Sequence, residues 1–368
     1  MKKILFLIHD LGHGGAEKVL INLVNNMDHN KYDITVMALF GGGVNEAFLS
    51  NKIHYKAVYP KSIPGNSYLM QLFSPEKLHK MYIKDRYDIE IAYLEGPAVR
   101  IISGCQDPNT KLIYWVHCTM HSTKEFSVGF RSYNEARKCF LRFHKNIFVS
   151  TEVQSAFEKY CPTAKAYVLY NTNESREILC KAMEPVEEGI FHEKEIKLIG
   201  VGKIENVKGF DRLIKVHEKL LRDGLPVHTY ILGTGSKKNE LQKYLSQNGL
   251  TDSVTFLGYQ ANPYKYVKNS DLFICSSYSE GFSTATTEAL IVGTPVVSTA
   301  VSGMKEMLGE NNEWGIITDN YTEALYEGIK NLLLSPELMS YYKIQAEIRG
   351  KEFQTEQTVL SVEQMIES

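Results

Sequence analysis

The chain has 368 residues, 43% of them hydrophobic and 23% charged, with a formal net charge of −2. That is the composition of a soluble globular protein too long for one ordinary core, so two domains are expected and nucleic acid is not an expected partner. No stretch approaches the ~20 uninterrupted apolar residues of a membrane span, and the six cysteines are scattered without a C-x-x-C pair, which argues against a zinc site or a disulfide framework and fits a reducing cytoplasm.

The start, Met1-Lys2-Lys3-Ile4-Leu5-Phe6-Leu7-Ile8, has the charge and apolar run of a signal peptide. The run stops at His9-Asp10, however, and no small-residue cleavage site follows, so Lys3–Ile8 reads as the first buried strand. Next comes Leu11-Gly12-His13-Gly14-Gly15-Ala16-Glu17-Lys18, whose glycines allow either a close approach to a ligand or simply a tight turn before a helix at Gly15–Met27. It is not a G-x-G-x-x-G fingerprint. Further strands are expected at Ile34–Leu39, Ile53–Val58, Ile89–Tyr93, Leu112–His117, Ile147–Ser150 and Ala166–Tyr170, with helical patterns between several of them. This is the rhythm of a parallel sheet covered by helices on both faces. His117 closes its strand in Tyr114-Trp115-Val116-His117-Cys118-Thr119 and reads either as a satisfied structural residue or as a site residue at a strand's carboxyl end. The basic stretch Arg131–Lys145, with apolar residues interleaved, suits either an anionic membrane surface or a helix packing one face on its own sheet.

The charged segment Glu174–Lys194, with Pro185 and Gly189, lacks an apolar period and reads as the connection between domains. A second alternating series follows, at Lys197–Val201, His228–Leu232, Val254–Leu257, Leu272–Ser276, Pro295–Ser298 and Gly315–Thr318. Helical stretches at Tyr321–Leu334 and Pro336–Phe353 come next, then a tail with Val359, Val362 and Ile366 at roughly helical spacing. The domains are therefore set at residues 1–180, with the terminal helix 355–368 packing back on them, and 181–354.

In open α/β sheets ligands bind beyond the carboxyl ends of strands. There the second half places Gly202 and Lys203 with Lys208 and Gly209 shortly after; Gly233 and Gly235 around Thr234; and Leu257-Gly258-Tyr259. The lysines suit a diphosphate, or are a solvated loop. The small residues let a flat base slide against backbone. The most informative segment is Tyr278-Ser279-Glu280-Gly281-Phe282-Ser283-Thr284-Ala285-Thr286-Thr287-Glu288-Ala289-Leu290, between an apolar strand and the helix stop Gly293-Thr294-Pro295. Ser283 and Thr284 cap a helix whose first N–H groups and dipole form either an anion site, with a carboxylate on each side of it, or simply the start of a solvated helix with two surface glutamates.

The string Ser279-Glu280-Gly281-Phe282-Ser283-x4-Glu288-Ala289-x3-Gly293-Thr294-Pro295-Val296-Val297, together with the order of the other strand ends, resembles family 4 of the retaining glycosyltransferases, which have the GT-B fold. The resemblance implies an α/β fold of two doubly wound Rossmann-like domains facing across a cleft. It implies a retaining enzyme that moves a hexose-type sugar from a nucleotide-diphosphate sugar, a UDP-sugar by analogy, to a glycan or lipid-linked glycan in polysaccharide biosynthesis. The donor is a substrate, and no cofactor or metal is implied; no Asp-x-Asp pair stands here. Lys208 would bind the diphosphate, Lys203 stands where arginine is commoner, and the amides of Thr284 and Ala285 would meet phosphate. Glu288 would accept from the ribose, and Gly281, Phe282 and Ser283 would contact the donor sugar beside Glu280. Gly14 and Gly15 would face the diphosphate, and His117 would lie near the transferred sugar. The implied location is the cytoplasm, at the inner face of the cell membrane. A non-catalytic, nucleotide-sugar-binding partner subunit is the alternative, against which intact Glu280, Glu288, Lys208 and His117 argue.

Overall fold

The computed structural model describes residues 1–12, 14–61, 69–163, 165–191 and 194–368. Its chain divides into two compact units, one formed by Met1–Asn173 with Thr355–Ser368 and the other by Glu174–Gln354. Both are parallel α/β sheets with helices between the strands.

The first unit holds β1 (Lys2–Ile8), β2 (Tyr32–Phe40), β3 (His54–Tyr59), β4 (Ile89–Tyr93), β5 (Lys111–Val116), β6 (Lys145–Phe148) and β7 (Ala166–Val168), in the order β3-β2-β1-β4-β5-β6-β7. The central strands are apolar without alternation because helices cover both faces: Ile4 to Ile8 are wholly buried, as are Ile91 to Tyr93. Sequence order reverses between β1 and β4, so the crevice beyond the carboxyl ends of those two strands is the expected ligand position in this unit.

The second unit holds β8 (Ile196–Val201), β9 (Val227–Leu232), β10 (Val254–Gly258), β11 (Leu272–Cys275), β12 (Val296–Thr299) and β13 (Ile316–Thr318), in the order β10-β9-β8-β11-β12-β13. Here the reversal lies between β8 and β11. The helix Phe210–Arg222 buries Leu213, Ile214, Val216 and Leu220 against this sheet and, apart from buried Arg212, keeps its charges at or near the surface.

One expectation changes, and one pair of alternatives narrows. The division falls after Asn173 rather than at residue 180, because the supposed linker contains the helix Ser175–Ala182, which packs on the helices Tyr264–Lys268 and Thr284–Ile291 of the second unit. The stretch Arg131–Lys145 is not uniformly surface. The helix Tyr133–Phe140 buries Ala136, Cys139 and Phe140, Phe143 is also interior, and Lys145 begins β6. Buried Lys145 donates to the carbonyl of Met365 (2.5 Å) and to Ser368 Oγ (2.9 Å), and burial pulls its amine below the usual lysine range. It thereby clasps the terminal helix Thr355–Glu367 onto the first unit. That helix buries Val359, Val362, Met365 and Ile366, and its Glu367 accepts from Tyr32 (2.9 Å) and pairs with Lys2.

Candidate active site

In the second unit the predicted residues gather on the β8/β11 reversal. β8 is followed by Gly202, whose N–H donates to the Leu232 carbonyl (3.0 Å); Gly233 donates to the Gly258 carbonyl (2.7 Å), and Ile204 to that of Thr234 (2.9 Å). The ends of β8, β9 and β10 are thus laced together through the glycines the sequence singles out. Gly233 has φ +136, and a Cβ there would lie 1.9 Å from the Gly202 carbonyl oxygen, so only glycine permits this approach.

The short helical turn Asn206–Lys208 leads to Gly209, at φ +62, where a Cβ would meet the Ser276 carbonyl at 2.0 Å. This contact presses the Lys208 turn against the end of β11. Ser276 Oγ donates to the Lys208 carbonyl (3.0 Å) and the Tyr278 N–H to the Val207 carbonyl (2.8 Å). Lys208 Nζ consequently lies 2.6 Å from Glu280 Oε1, which also accepts from Ser277 Oγ at 2.6 Å. Ser277 is held in turn by Thr299 Oγ1, which donates to its carbonyl (2.7 Å). Of the predicted cations, Lys208 is half-buried and ion-paired, whereas Lys203 is exposed.

The helix Thr284–Ile291 begins as expected, with Ser283 as its cap: Ser283 Oγ accepts from the Thr286 N–H at 3.3 Å. The amides of Thr284 and Ala285, at the first two helical positions, have no intrahelical acceptor. A positive dipole end therefore stands beside the lysine–glutamate pair. Glu288 is buried one turn on and accepts from the Tyr264 hydroxyl at 3.3 Å. Phe282 is buried with its ring 6.5 Å from that of Phe353, which fixes the backbone of Gly281 and Ser283 on either side. Leu257 and Gly258 end β10 partly covered, and Tyr259 is 70% exposed.

Gly14, Gly15 and His117 belong to the first unit. Gly14 caps the helix Gly15–Asn26, and a Cβ on it would strike the Glu17 carboxylate at 1.9 Å. Residue 13, in the same loop, lies outside the described residues. His117 is 7% exposed, its ring 4.5 Å from that of Tyr93 and stacked at 6.1 Å on Trp115. Its Nε2 is buried without a hydrogen-bond partner among the described residues, and desolvation lowers its pKa to about 3. His117 is therefore a neutral imidazole with hydrogen-bonding capacity to spare, rather than the satisfied structural histidine.

Sequence reasoning missed the groups that hold this site in shape. Ser277, Thr299 and Tyr264 position Glu280 and Glu288, but serine, threonine and tyrosine carry no motif of their own. Tyr278, inside the recognised segment, donates to Asp211 (3.0 Å) and stacks under the Arg212 guanidinium (4.0 Å to the ring centroid).

Comparison with known proteins agrees with this geometry. The family model described as "Glycosyl transferases group 1" matches residues 185–349, and "Glycosyltransferase Family 4" matches residues 13–172. Among similar proteins is an N-acetylgalactosamine-N,N'-diacetylbacillosaminyl-diphospho-undecaprenol 4-alpha-N-acetylgalactosaminyltransferase of Campylobacter jejuni, 26% identical, with 96% of each chain covered. Another is the amylovoran biosynthesis glycosyltransferase AmsK of Erwinia amylovora, 23% identical, covering 84% of this chain and 86% of that one. Of solved structures, HepE of Anabaena in complex with UDP and glucose superposes with a TM-score of 0.80 at 20% identity over the whole of both chains. The two Rossmann-like units are those of a GT-B protein, and the chain belongs to glycosyltransferase family 4.

Proposed function

We propose that this glycosyltransferase moves a hexose-type sugar from a UDP-sugar, with retention of anomeric configuration, to a glycan carried on a lipid diphosphate. The observation that carries the donor half is the juxtaposition, at one strand reversal, of Lys208, Glu280 and the open amides of Thr284 and Ala285. The acceptor half rests on the Campylobacter relative, whose name specifies a diphospho-undecaprenol acceptor.

In this reading the donor diphosphate sits on the start of the helix Thr284–Ile291 with Lys208 alongside and Lys203 reaching from the exposed loop. Glu288, held by Tyr264, accepts from the ribose hydroxyls. The base lies along the backbone at Gly233, Gly235 and Leu257–Tyr259. The sugar meets the Gly281–Ser283 backbone beside Glu280. As the glycosidic bond breaks, positive charge spreads over the sugar ring and negative charge grows on the departing UDP. Lys208, Lys203 and the helix dipole are already oriented towards that negative charge, so no solvent must reorganise to stabilise it. Glu280 faces the positive side and orients Lys208 through their shared hydrogen bond. Within the first unit, neutral His117 has a ring nitrogen to offer a sugar hydroxyl, and Gly14 and Gly15 give a backbone that a ligand can approach closely. Protein groups alone neutralise the leaving group in this scheme. Turnover is therefore expected to persist in excess chelator; activity that vanishes and returns specifically with magnesium or manganese would contradict it.

A lipid-borne acceptor calls for contact with the membrane, and no helix among the described residues is long and apolar enough to cross one. We place the contact on the first unit, where exposed Arg131, Arg137, Lys138 and Arg142 lie near Leu141 (62% exposed). Arg131 Nε also donates to the Gln71 carbonyl (2.5 Å), which brings Leu72, 73% exposed, beside those cations. Phe140, Phe143 and Lys145 take no part, being interior. Sedimentation with anionic vesicles should be strong at low salt and fall off as the Debye length shrinks to about 3 Å at 1 M. Absence of binding at low salt would remove the membrane reading.

A further inference from the structure

The carboxyl end of β4 carries a feature the family motifs do not use. Leu94, the residue after the strand, has φ +73, and Gly96 has φ +97. A positive φ on a bulky, non-glycine residue is an outlier, and such strain collects at functional positions. Between the two lies Glu95. The turn folds its side chain over the neighbouring strand, where Oε1 accepts from the N–H groups of both His117 (2.7 Å) and Cys118 (2.9 Å) at the end of β5. Leu94 is tied to the same strand by its N–H to the Trp115 carbonyl (3.3 Å). The carboxylate thus lies across the carboxyl ends of β4 and β5, one strand over from the β1/β4 reversal and still at the ligand-binding edge of the first sheet. Desolvation raises the pKa of Glu95, making it a stronger acceptor than a solvated glutamate. From Cys118 onward the chain enters a pocket of about 390 Å³ lined by Thr119, Met120 and His121 after β5, by Thr151 and Glu152 of the helix Thr151–Glu158, and by Lys159 just beyond that helix. That volume is in the range of small-ligand sites.

We infer that Glu95 is an acceptor-binding residue: Oε1 is fixed by the two backbone donors, and Oε2 receives a hydrogen bond from a hydroxyl of the acceptor sugar, whose further part enters the adjoining pocket. A carboxylate has lone pairs for both tasks at once. The strained Leu94 turn then has a purpose, since a relaxed turn would carry the side chain away from β5. This assignment rests on the transferase reading above and adds to it the group that receives the acceptor.

Glu95→Gln separates the roles. The amide oxygen can still take the His117 and Cys118 N–H groups, but the second position becomes a donor. The probes are UDP-glucose, UDP-galactose, UDP-N-acetylglucosamine and UDP-N-acetylgalactosamine, each with octyl glycosides of the same four sugars as acceptors, followed by UDP release from the whole chain. In the variant, kcat/KM for the acceptor should fall about 10- to 100-fold, as expected for losing a hydrogen bond to a charged group. Donor KM, UDP affinity and melting temperature should stay close to those of the unmodified protein. Acceptor hydroxyls also have a stand-in in water, so slow donor hydrolysis should fall in parallel. If Glu95→Gln keeps the acceptor kcat/KM, or loses melting temperature and UDP affinity along with it, Glu95 serves only to tie β4 to β5 and the inference fails. If the unmodified chain turns over none of the four donors, the UDP-sugar reading itself is overturned and this assignment goes with it.

Discussion

Lys208→Ala should lower kcat by about 10²-fold or more while the protein remains folded, the magnitude being that of removing one oxyanion donor. Lys208 is half-buried, and its ammonium is bonded to Glu280 Oε1 at 2.6 Å, beside the helix start that would take the diphosphate. The Glu280 carboxylate does not lose all support in the variant, because Ser277 Oγ continues to donate to it at 2.6 Å. That is why the fold should survive the change. The intact UDP-sugar carries less charge on the leaving oxygen than the departing UDP does, so Lys208 gains most of its interaction as the bond breaks. Donor KM should accordingly move little, and the affinity for UDP, which has the charge fully developed, should fall with kcat. Steady-state kinetics and melting curves of both proteins test this. Near-normal kcat in a folded variant would remove Lys208 from the leaving-group site.

Glu288→Gln should act by the other route, raising donor KM more than it lowers kcat. The carboxylate is buried and held by the Tyr264 hydroxyl at 3.3 Å, one turn inside the helix whose start would take the diphosphate. A contact from Glu288 to the ribose would be the same before and during transfer, so it would contribute uniform binding. A carboxylate accepts strongly from two hydroxyls; an amide accepts more weakly and presents N–H groups where the ribose also donates. Loss of a charge-assisted hydrogen bond corresponds to about 1.5–3 kcal/mol, or roughly 10- to 100-fold in donor KM. The same rates measured over a range of donor concentrations decide it: a fall in kcat with unchanged KM would place Glu288 at the reacting centre instead.

Much of this fold is legible in the sequence because parallel strands covered on both faces have to be apolar throughout. Ile4–Ile8 and Leu272–Cys275 are short unbroken runs bounded by polar loops, and they are strands. Strand ends that approach one another need glycine, and Gly233 and Gly209 mark such approaches from the sequence alone. The cap Ser283 and the paired glutamates are equally visible, since local chain chemistry sets the helix start. Other parts were hidden because they depend on neighbours distant in sequence. Lys145 resembles any basic residue until the carbonyl of Met365, far along the chain, is seen to receive it. The helix Ser175–Ala182, of eight residues, is too short to show an apolar period, and only its packing on Tyr264–Lys268 assigns it to the second unit. Glu95 was invisible for a different reason: nothing in Tyr93-Leu94-Glu95-Gly96 reveals that Leu94 takes a positive φ, and tertiary contacts with β5 impose it.

The central claim is that the second unit binds a nucleoside diphosphate through Lys208 and the start of the helix Thr284–Ile291, and it is tested most directly by the melting temperature of the whole chain with UDP. A ligand at one hundred times its dissociation constant stabilises by about 2.7 kcal/mol, a readily measured rise. The account predicts that rise with UDP in metal-free buffer, and a much smaller one at the same UDP concentration in Lys208→Ala. No rise with UDP, or an equal rise in the two proteins, would contradict it.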